Sequence, residues 1–338
     1  MNLFGHYKTI VYLPNPYALL QYYLLAPCKE EDTLFFFHEK FPVSIVQRIS
    51  GAKILSEKRK NRYLFSLIIH WFALRNRNLS VYLGGWLFFT DLFIRLFKHL
   101  FYLEDGTLSY EEVTNPEHQV TKKRKVWWRR WMFGDTYPPF GLADGVECIY
   151  LTGILPIPDI ILSKTKVINL QSLWQQKKPT EKKRILDVFQ FEENDLELMK
   201  ACDTLLLTQP FSEYSFVFTE SDKIEVYRRL LAGQDESKVL IKVHPYEKTD
   251  YSVYFPSAQI IHTPCPLELL LLQEITLHKV ITVNSTAVFS LGDRIEKVIS
   301  GYDVTPALAE EAKRRNIYEG ISNKFKTKQS FQSYTKRK

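Results

Sequence analysis

Short runs of β-branched, aliphatic and aromatic residues alternate with helix-period segments along nearly the whole chain, and few folds accommodate that alternation. In the first half, strands are expected at Thr9–Leu13, Thr33–Phe37, Ser80–Leu83, Phe101–Leu103 and Cys148–Leu151. Helices are expected between them, at Pro16–Leu25, Pro42–Ser50, Lys60–Leu74 and Phe89–Lys98. The second half repeats the pattern, with strands near Thr204–Thr208, Val239–Val243, Gln259–Ile261 and Lys279–Val283. Its helices are expected near Asp195–Ala201, Glu220–Leu231, Pro266–Leu272 and Pro306–Arg315. Strands that alternate with helices in this way build parallel sheets from βαβ units, an α/β fold.

A chain of 338 residues is too long for one small module, so two Rossmann-like halves facing a central cleft are the expected architecture. The polar and basic stretch 163–184, containing QQKKPTEKKR, reads as a linker or exposed crossing segment. The expected domains are therefore 1–165 and 166–325, followed by a basic tail at 326–338. With 45% hydrophobic and 25% charged residues the chain falls outside the disordered class. Lys and Arg number 45 against 38 Asp and Glu, and this excess favours nucleotides, anionic sugars or a membrane surface as partners. Cys28, Cys148, Cys202 and Cys265 are scattered without a CxxC pair. That argues against a structural zinc site or a disulfide framework and fits a reducing cytoplasm. The opening MNLFGHYKTIVYLPNP lacks the features of a signal peptide. The longest apolar segments, Tyr63–Leu74 and Trp86–Phe97, fall short of the ~20 residues a bilayer span needs, and Asp91 and Arg95 interrupt the second. Contact with a membrane surface stays open.

Ligands in parallel sheets bind beyond the carboxyl ends of the strands, and four candidate groups stand there. Glu104-Asp105-Gly106 ends an apolar run, and a carboxylate at such a position can take a proton from an attacking hydroxyl. Read alone, it is equally an ordinary Asp-Gly turn. Lys242-Val243-His244-Pro245 ends another strand, and His244 can donate to a phosphate oxygen or protonate a leaving group, or merely sit at the surface. Ser285 and Thr286 follow a third strand and open a helix-compatible stretch, AVFSLG, where backbone N–H groups and hydroxyls can receive a phosphate or serve only as a cap. Glu268, in the first turn after Pro266, can hold ribose hydroxyls or simply complement the helix dipole. The other seven histidines have no comparable setting.

Taken together, these groups make the chain resemble the bacterial sialyltransferases, which share an acidic D/E-D/E-G motif, then His-Pro, then a Ser/Thr pair. Here they stand as EDG at 104–106, HP at 244–245 and ST at 285–286, with Glu268 lying 24 positions and Ser285 lying 41 positions after His244. The start VYLPNPYALLQ and the segment TLLLTQPFSE at 204–213 look like parts of glycosyltransferase family 52, which includes lipooligosaccharide and capsule sialyltransferases. The likeness runs from about residue 8 to residue 300.

The resemblance implies a GT-B fold and inverting transfer of sialic acid from CMP-sialic acid to a glycan hydroxyl. The implied acceptor is a terminal galactose of a surface glycan such as lipooligosaccharide, capsule or O-antigen. It implies Asp105 as general base, with Glu104 as its neighbouring rival, and His244 as the group that binds the CMP phosphate and assists its departure. Ser285 and Thr286 would hold that phosphate, Lys242 and Pro245 would lie beside the nucleotide, and Glu268 would bind its ribose. No cofactor or metal is expected: no two aspartates stand two positions apart, and a single phosphate can be neutralised by a lysine, a histidine and two hydroxyls.

The run KKRKVWWRRWMFG at 122–134 packs six basic residues and three tryptophans into thirteen positions. It is read first as membrane or lipid-linked acceptor contact through Trp127, Trp128 and Trp131, ahead of an exposed loop packed on its own domain; nucleic acid is not an expected partner. The expected location is the inner face of the bacterial membrane, and a homodimer is left open. The rival functions are a family relative using another nucleotide sugar and a non-catalytic glycan- or lipid-binding scaffold.

Overall fold

The computed structural model describes residues 7–26, 30–76, 78–191, 193–273, 277–292 and 294–315. Cys28 and the basic tail 326–338 lie outside these residues. The chain divides into two compact units, Met1–Phe189 and Gln190–Lys338, and each is built on one parallel sheet.

The first unit has strands β1 (Thr9–Leu13), β2 (Thr33–His38), β3 (Lys53–Leu55), β4 (Ser80–Gly84), β5 (His99–Leu103), β6 (Val146–Leu151) and β7 (Thr165–Val167). Their order is β3-β2-β1-β4-β5-β6-β7, and every pairing is parallel. All five residues of β1 are buried, as are the first five of β2, because a central parallel strand is covered on both faces. Tyr12, Phe35, Phe36, Phe37, Phe89 and Phe93 fill that core. The helix Pro16–Leu25 starts where it does because the Asn15 side chain accepts the Ala18 N–H at 2.9 Å and Pro16 supplies a ready-made first-turn φ. After β3 the chain crosses back to place β4 on the other side of β1, so the strand order reverses between β1 and β4. Loops at such a point splay apart and leave room for a ligand.

The second unit has β8 (Thr204–Leu207), β9 (Val239–Lys242), β10 (Gln259–Ile261), β11 (Lys279–Thr282) and β12 (Glu296–Ile299) in the order β10-β9-β8-β11-β12, again all parallel. Its reversal lies between β8 and β11. Leu206, Ile241 and Ile281 pack there with Tyr227 and Tyr251.

Two expectations are corrected. The stretch 163–184 is not a linker: it holds β7, the helix Leu170–Gln176 and the start of the helix Pro179–Val188. Ile168, Trp174, Ile185 and Val188 are buried, and Arg184 bonds Glu30 at 2.7 Å and the Arg48 carbonyl at 2.6 Å. The chain therefore divides after Phe189 and not at 165/166, which would cut the first sheet at β7. A helix with a lysine-rich outer face hides its few buried residues from a composition reading. The unpredicted strands β3, β7 and β12 are all edge strands carrying charged, exposed residues, so no apolar run marks them.

Candidate active site

Strand β5 ends at Leu103 and delivers the two adjacent acids to different surroundings. Glu104 is fully buried. Its Oε1 accepts the Tyr17 hydroxyl at 2.7 Å, its Oε2 accepts the Tyr110 hydroxyl at 2.6 Å and the Thr152 N–H at 2.6 Å, and the Thr152 hydroxyl lies 2.9 Å from both oxygens. The Gln21 amide clamps its backbone, donating to the carbonyl at 2.9 Å and accepting the N–H at 3.1 Å. Burial pushes this carboxyl upward, against the pull of those hydrogen bonds. The acceptor directions of Glu104 thus tie the end of β5 to the end of β6, to the helix Pro16–Leu25 and to the short helix Leu108–Glu111 that carries Tyr110.

Asp105 is partly exposed, and its side chain accepts one hydrogen bond, from Asn15 Nδ2 to Oδ1. Its own N–H donates to Ser109 Oγ at 2.7 Å. Burial pushes its carboxyl up to about 6; the Asn15 bond opposes the rise and the Glu104 charge adds to it. A carboxylate poised there can accept a proton near neutral pH. The approach of the β4 loop requires glycine. Gly85 has φ +62°, and a Cβ on it would stand 2.9 Å from both Asp105 Oδ2 and Pro14 Cγ.

In the second unit, β9 runs into His244. The His244 N–H donates to Thr208 Oγ1 and to Glu247 Oε2, each at 3.1 Å. Its Nδ1 accepts the Tyr246 N–H at 3.2 Å, which assigns the ring proton to Nε2. Burial pulls the imidazole down to about 4, the Lys242 charge adding to the effect and Glu213 opposing it. His244 is therefore neutral at pH 7 and offers Nε2–H as a donor. Behind it stands an ionic network. Lys223, with no exposed side chain, lies 2.8 Å from Glu213 Oε1 and 3.4 Å from Glu247 Oε1. Glu247 also accepts the Tyr251 hydroxyl at 2.9 Å and the Thr208 hydroxyl. Burial pushes Glu247 up; in Glu213 burial acts the same way but is outweighed by Lys223 and the Lys248 N–H, and that carboxyl ends below its usual range.

The remaining predicted residues gather at the same end of this sheet. Lys242 is buried and donates to the Thr263 carbonyl at 2.8 Å, and Pro245 is exposed. The Ser285 N–H donates to Thr282 Oγ1 at 3.2 Å. The hydroxyls of Ser285 and Thr286 are partly exposed and have no hydrogen-bond partner among the described residues. The helix expected after them is a single 3₁₀ segment, Thr286–Ser290, too short for an appreciable macrodipole. A phosphate there would meet hydroxyls more than a dipole. Glu268 accepts the Ser290 hydroxyl at 2.7 Å, which ties the start of the helix Leu267–Leu271 to that segment. Between them, Asn284 donates to the Tyr302 hydroxyl while its buried Oδ1 has no partner among the described residues.

Sequence reasoning missed the partners: Asn15, Tyr17, Tyr110 and Thr152 in the first unit, Thr208, Lys223 and Glu247 in the second. Asn15, Thr152 and Thr208 carried a signal, since each follows the last residue of an apolar strand by one or two positions. Among the described residues, no group of three or more His, Cys, Asp or Glu side chains could hold a metal ion.

A profile of glycosyltransferase family 52 matches residues 76–329. The chain belongs to glycosyltransferase family 52. An uncharacterized protein of Haemophilus influenzae is 32% identical over 291 residues, covering 84% of this family 52 chain and 91% of the relative. Among solved structures, an α/β-galactoside α-2,3-sialyltransferase of Photobacterium phosphoreum matches with TM-score 0.55 and 13% identity, covering 93% of this chain and 97% of the other. A 2,6-sialyltransferase of Photobacterium sp., solved with donor product CMP and acceptor substrate lactose, matches with TM-score 0.57 and 11% identity over 93% and 77%. A third, from Photobacterium damselae and described as the GT-B domain, gives TM-score 0.55 at 11% identity over 92% and 98%. The fold of this family 52 glycosyltransferase is accordingly GT-B, as the resemblance implied. No helix among its described residues is long and apolar enough to cross a membrane.

Proposed function

We propose that this glycosyltransferase is an inverting, metal-independent sialyltransferase that uses CMP-sialic acid and a galactose-terminated acceptor on a bacterial surface glycan. The observation that carries the reading is the division of labour at 104–105: Glu104 is wholly occupied by donors, and Asp105 is partly exposed with its carboxyl pushed up to about 6. Membership of family 52 and the CMP and lactose bound by a protein of the same fold support the choice of donor and acceptor.

In this mechanism Asp105 takes the proton from the acceptor hydroxyl as its oxygen attacks the anomeric carbon of the sugar. The bond from that carbon to the phosphate oxygen breaks on the opposite face, and CMP departs with the electron pair. His244 Nε2–H and the Ser285 and Thr286 hydroxyls donate to the phosphate and disperse its charge, Lys242 lies beside the nucleotide with Pro245, and Glu268 holds the ribose. His244, neutral before the donor arrives, acts as a hydrogen-bond donor whose proton becomes easier to keep once phosphate charge is adjacent. The three tryptophans Trp127, Trp128 and Trp131 meet the membrane that carries a lipid-linked acceptor.

The test is incubation of the full chain with a panel of nucleotide sugars and galactosides, with product mass read directly. A sialylated galactoside formed only with CMP-sialic acid is the expected result. Transfer of a hexose from another donor, or no transfer at all, overturns the reading.

A further inference from the structure

The chain leaves β4 through Gly84-Gly85-Trp86, where the strand order of the first sheet reverses between β1 and β4. Its two glycines bring this stretch hard against its neighbours. A Cβ on Gly84 would stand 2.9 Å from Pro14 Cδ, and one on Gly85 would stand as close to Asp105 Oδ2. Consecutive Cα atoms are about 3.8 Å apart, so the Trp86 Cα lies within about 8 Å of the Asp105 carboxylate. The indole is held by His118, whose ring meets it edge-to-face at 4.8 Å, and His118 Nδ1 lies 3.0 Å from Glu112 Oε2. The segment that leaves β5 through Asp105 therefore returns at His118 to brace the indole. Trp86 is nevertheless 47% exposed. A single exposed apolar residue needs no explanation in general. A large aromatic calls for one when its backbone and its ring are both held, at a strand-order reversal and beside the candidate base.

We infer that Trp86 is the platform on which the acceptor sugar lies, and that it selects galactosides over their 4-epimers. This rests on the galactose-terminated acceptor proposed above. Galactopyranose carries its 4-hydroxyl axially, which gathers the C–H groups at ring positions 3, 4 and 5 into one apolar patch; glucose, with that hydroxyl equatorial, scatters them. The face of an indole attracts such a patch by dispersion and through the negative potential of its π-system. Stacking uses one face of the sugar and leaves the hydroxyls on its rim free to meet Asp105. Small-ligand sites combine an apolar wall with a few polar groups that fix orientation, and here the wall is Trp86 and the orienting group is the carboxylate that takes the proton.

The experiment gives the full chain CMP-sialic acid and either lactose or cellobiose, which differ only at ring position 4 of the terminal sugar. Trp86→Ala should raise KM for lactose roughly tenfold and change kcat by less than about threefold, because a stacked sugar is held equally before and at the transition state. Trp86→Phe keeps an aromatic face and should recover most of that loss. The wild-type preference for lactose over cellobiose should be roughly tenfold or more in kcat/KM and should largely vanish in W86A. Affinity for CMP, read by calorimetry, should be the same in all three proteins. A purely structural role for Trp86 would instead lower Tm, kcat and CMP affinity together and leave the lactose preference intact; that outcome overturns the inference, as does an unchanged KM. Saturation-transfer NMR on lactose with CMP present reads the contact without turnover. Ring positions 3, 4 and 5 of the galactose should receive most of the saturation in the wild type and lose it in W86A, and absence of this pattern from the wild type also overturns the inference. The pattern in a protein that transfers no sialic acid counts against the sialyl-transfer reading alone, whereas sialylation of lactose that W86A leaves unaltered counts against the inference alone.

Discussion

Asp105→Asn should make the protein more stable and less active at once, and the two effects have the same origin. The native carboxyl is displaced from its ordinary 3.8 to about 6, chiefly by burial. At neutral pH the folded state therefore holds a charge that its surroundings disfavour, at a cost on the order of 3 kcal/mol. Asparagine keeps the size, and its amide oxygen can still accept from Asn15, so removing the charge leaves the local geometry in place. For one unit of roughly 190 residues a gain of that order corresponds to a rise in Tm of about 6–12 °C.

The pH dependence has a definite sign. An acid whose folded pKa is raised contributes stability below about pH 4, and that contribution is lost as pH climbs through about 6. The Tm advantage of Asp105→Asn over wild type should thus be absent at pH 4, develop between pH 4 and 6, and remain constant above. Turnover should fall by roughly 10²–10⁴-fold, the usual contribution of a positioned base, and the wild-type rise in rate through pH 6 should disappear. Thermal unfolding across pH, alongside initial rates of CMP release, measures both. A variant with near wild-type turnover refutes Asp105 as the base, and a Tm that falls at pH 7 refutes the electrostatic account of its environment.

His244→Ala should weaken CMP binding by roughly 10–100-fold as well as turnover, because a hydrogen bond to a charged phosphate is made before the transition state; calorimetric titration that finds unchanged affinity removes His244 from the donor site. Lys223→Met leaves the buried side chain of Glu247 and the partly buried Glu213 without their cation and should cost about 3–5 kcal/mol, part of which K223M/E247Q recovers by removing one of the two charges. An equal loss of Tm in both variants would show that the network does not couple these groups. Chelation by EDTA should leave turnover unchanged, and loss restored by magnesium or manganese would refute metal independence.

How far the sequence could be read depended on where each residue's partners lie along the chain. β1, β10 and the helix Pro16–Leu25 match their expected limits to the residue. The central strand is apolar on both faces, and the helix has its start written locally in Asn15-Pro16. The edge strands β3, β7 and β12 carry Lys53, Lys166 and Glu296 toward solvent, and no local signal separates them from loops. The acidic pair and the His-Pro pair were visible because strand ends are where a parallel sheet presents side chains to a ligand. The difference between Glu104 and Asp105 was not. Adjacent carboxylates are alike in composition, and what separates them here is which one receives the hydroxyls of Tyr17, Tyr110 and Thr152, the first 87 and the last 48 positions away. The same holds for His244, whose neutral state follows from burial and from Lys242 two residues before it, whereas its backbone N–H is held by Thr208, just past the end of β8. A motif therefore locates the chemistry, but the assignment of roles within it rests on donors brought from elsewhere in the fold.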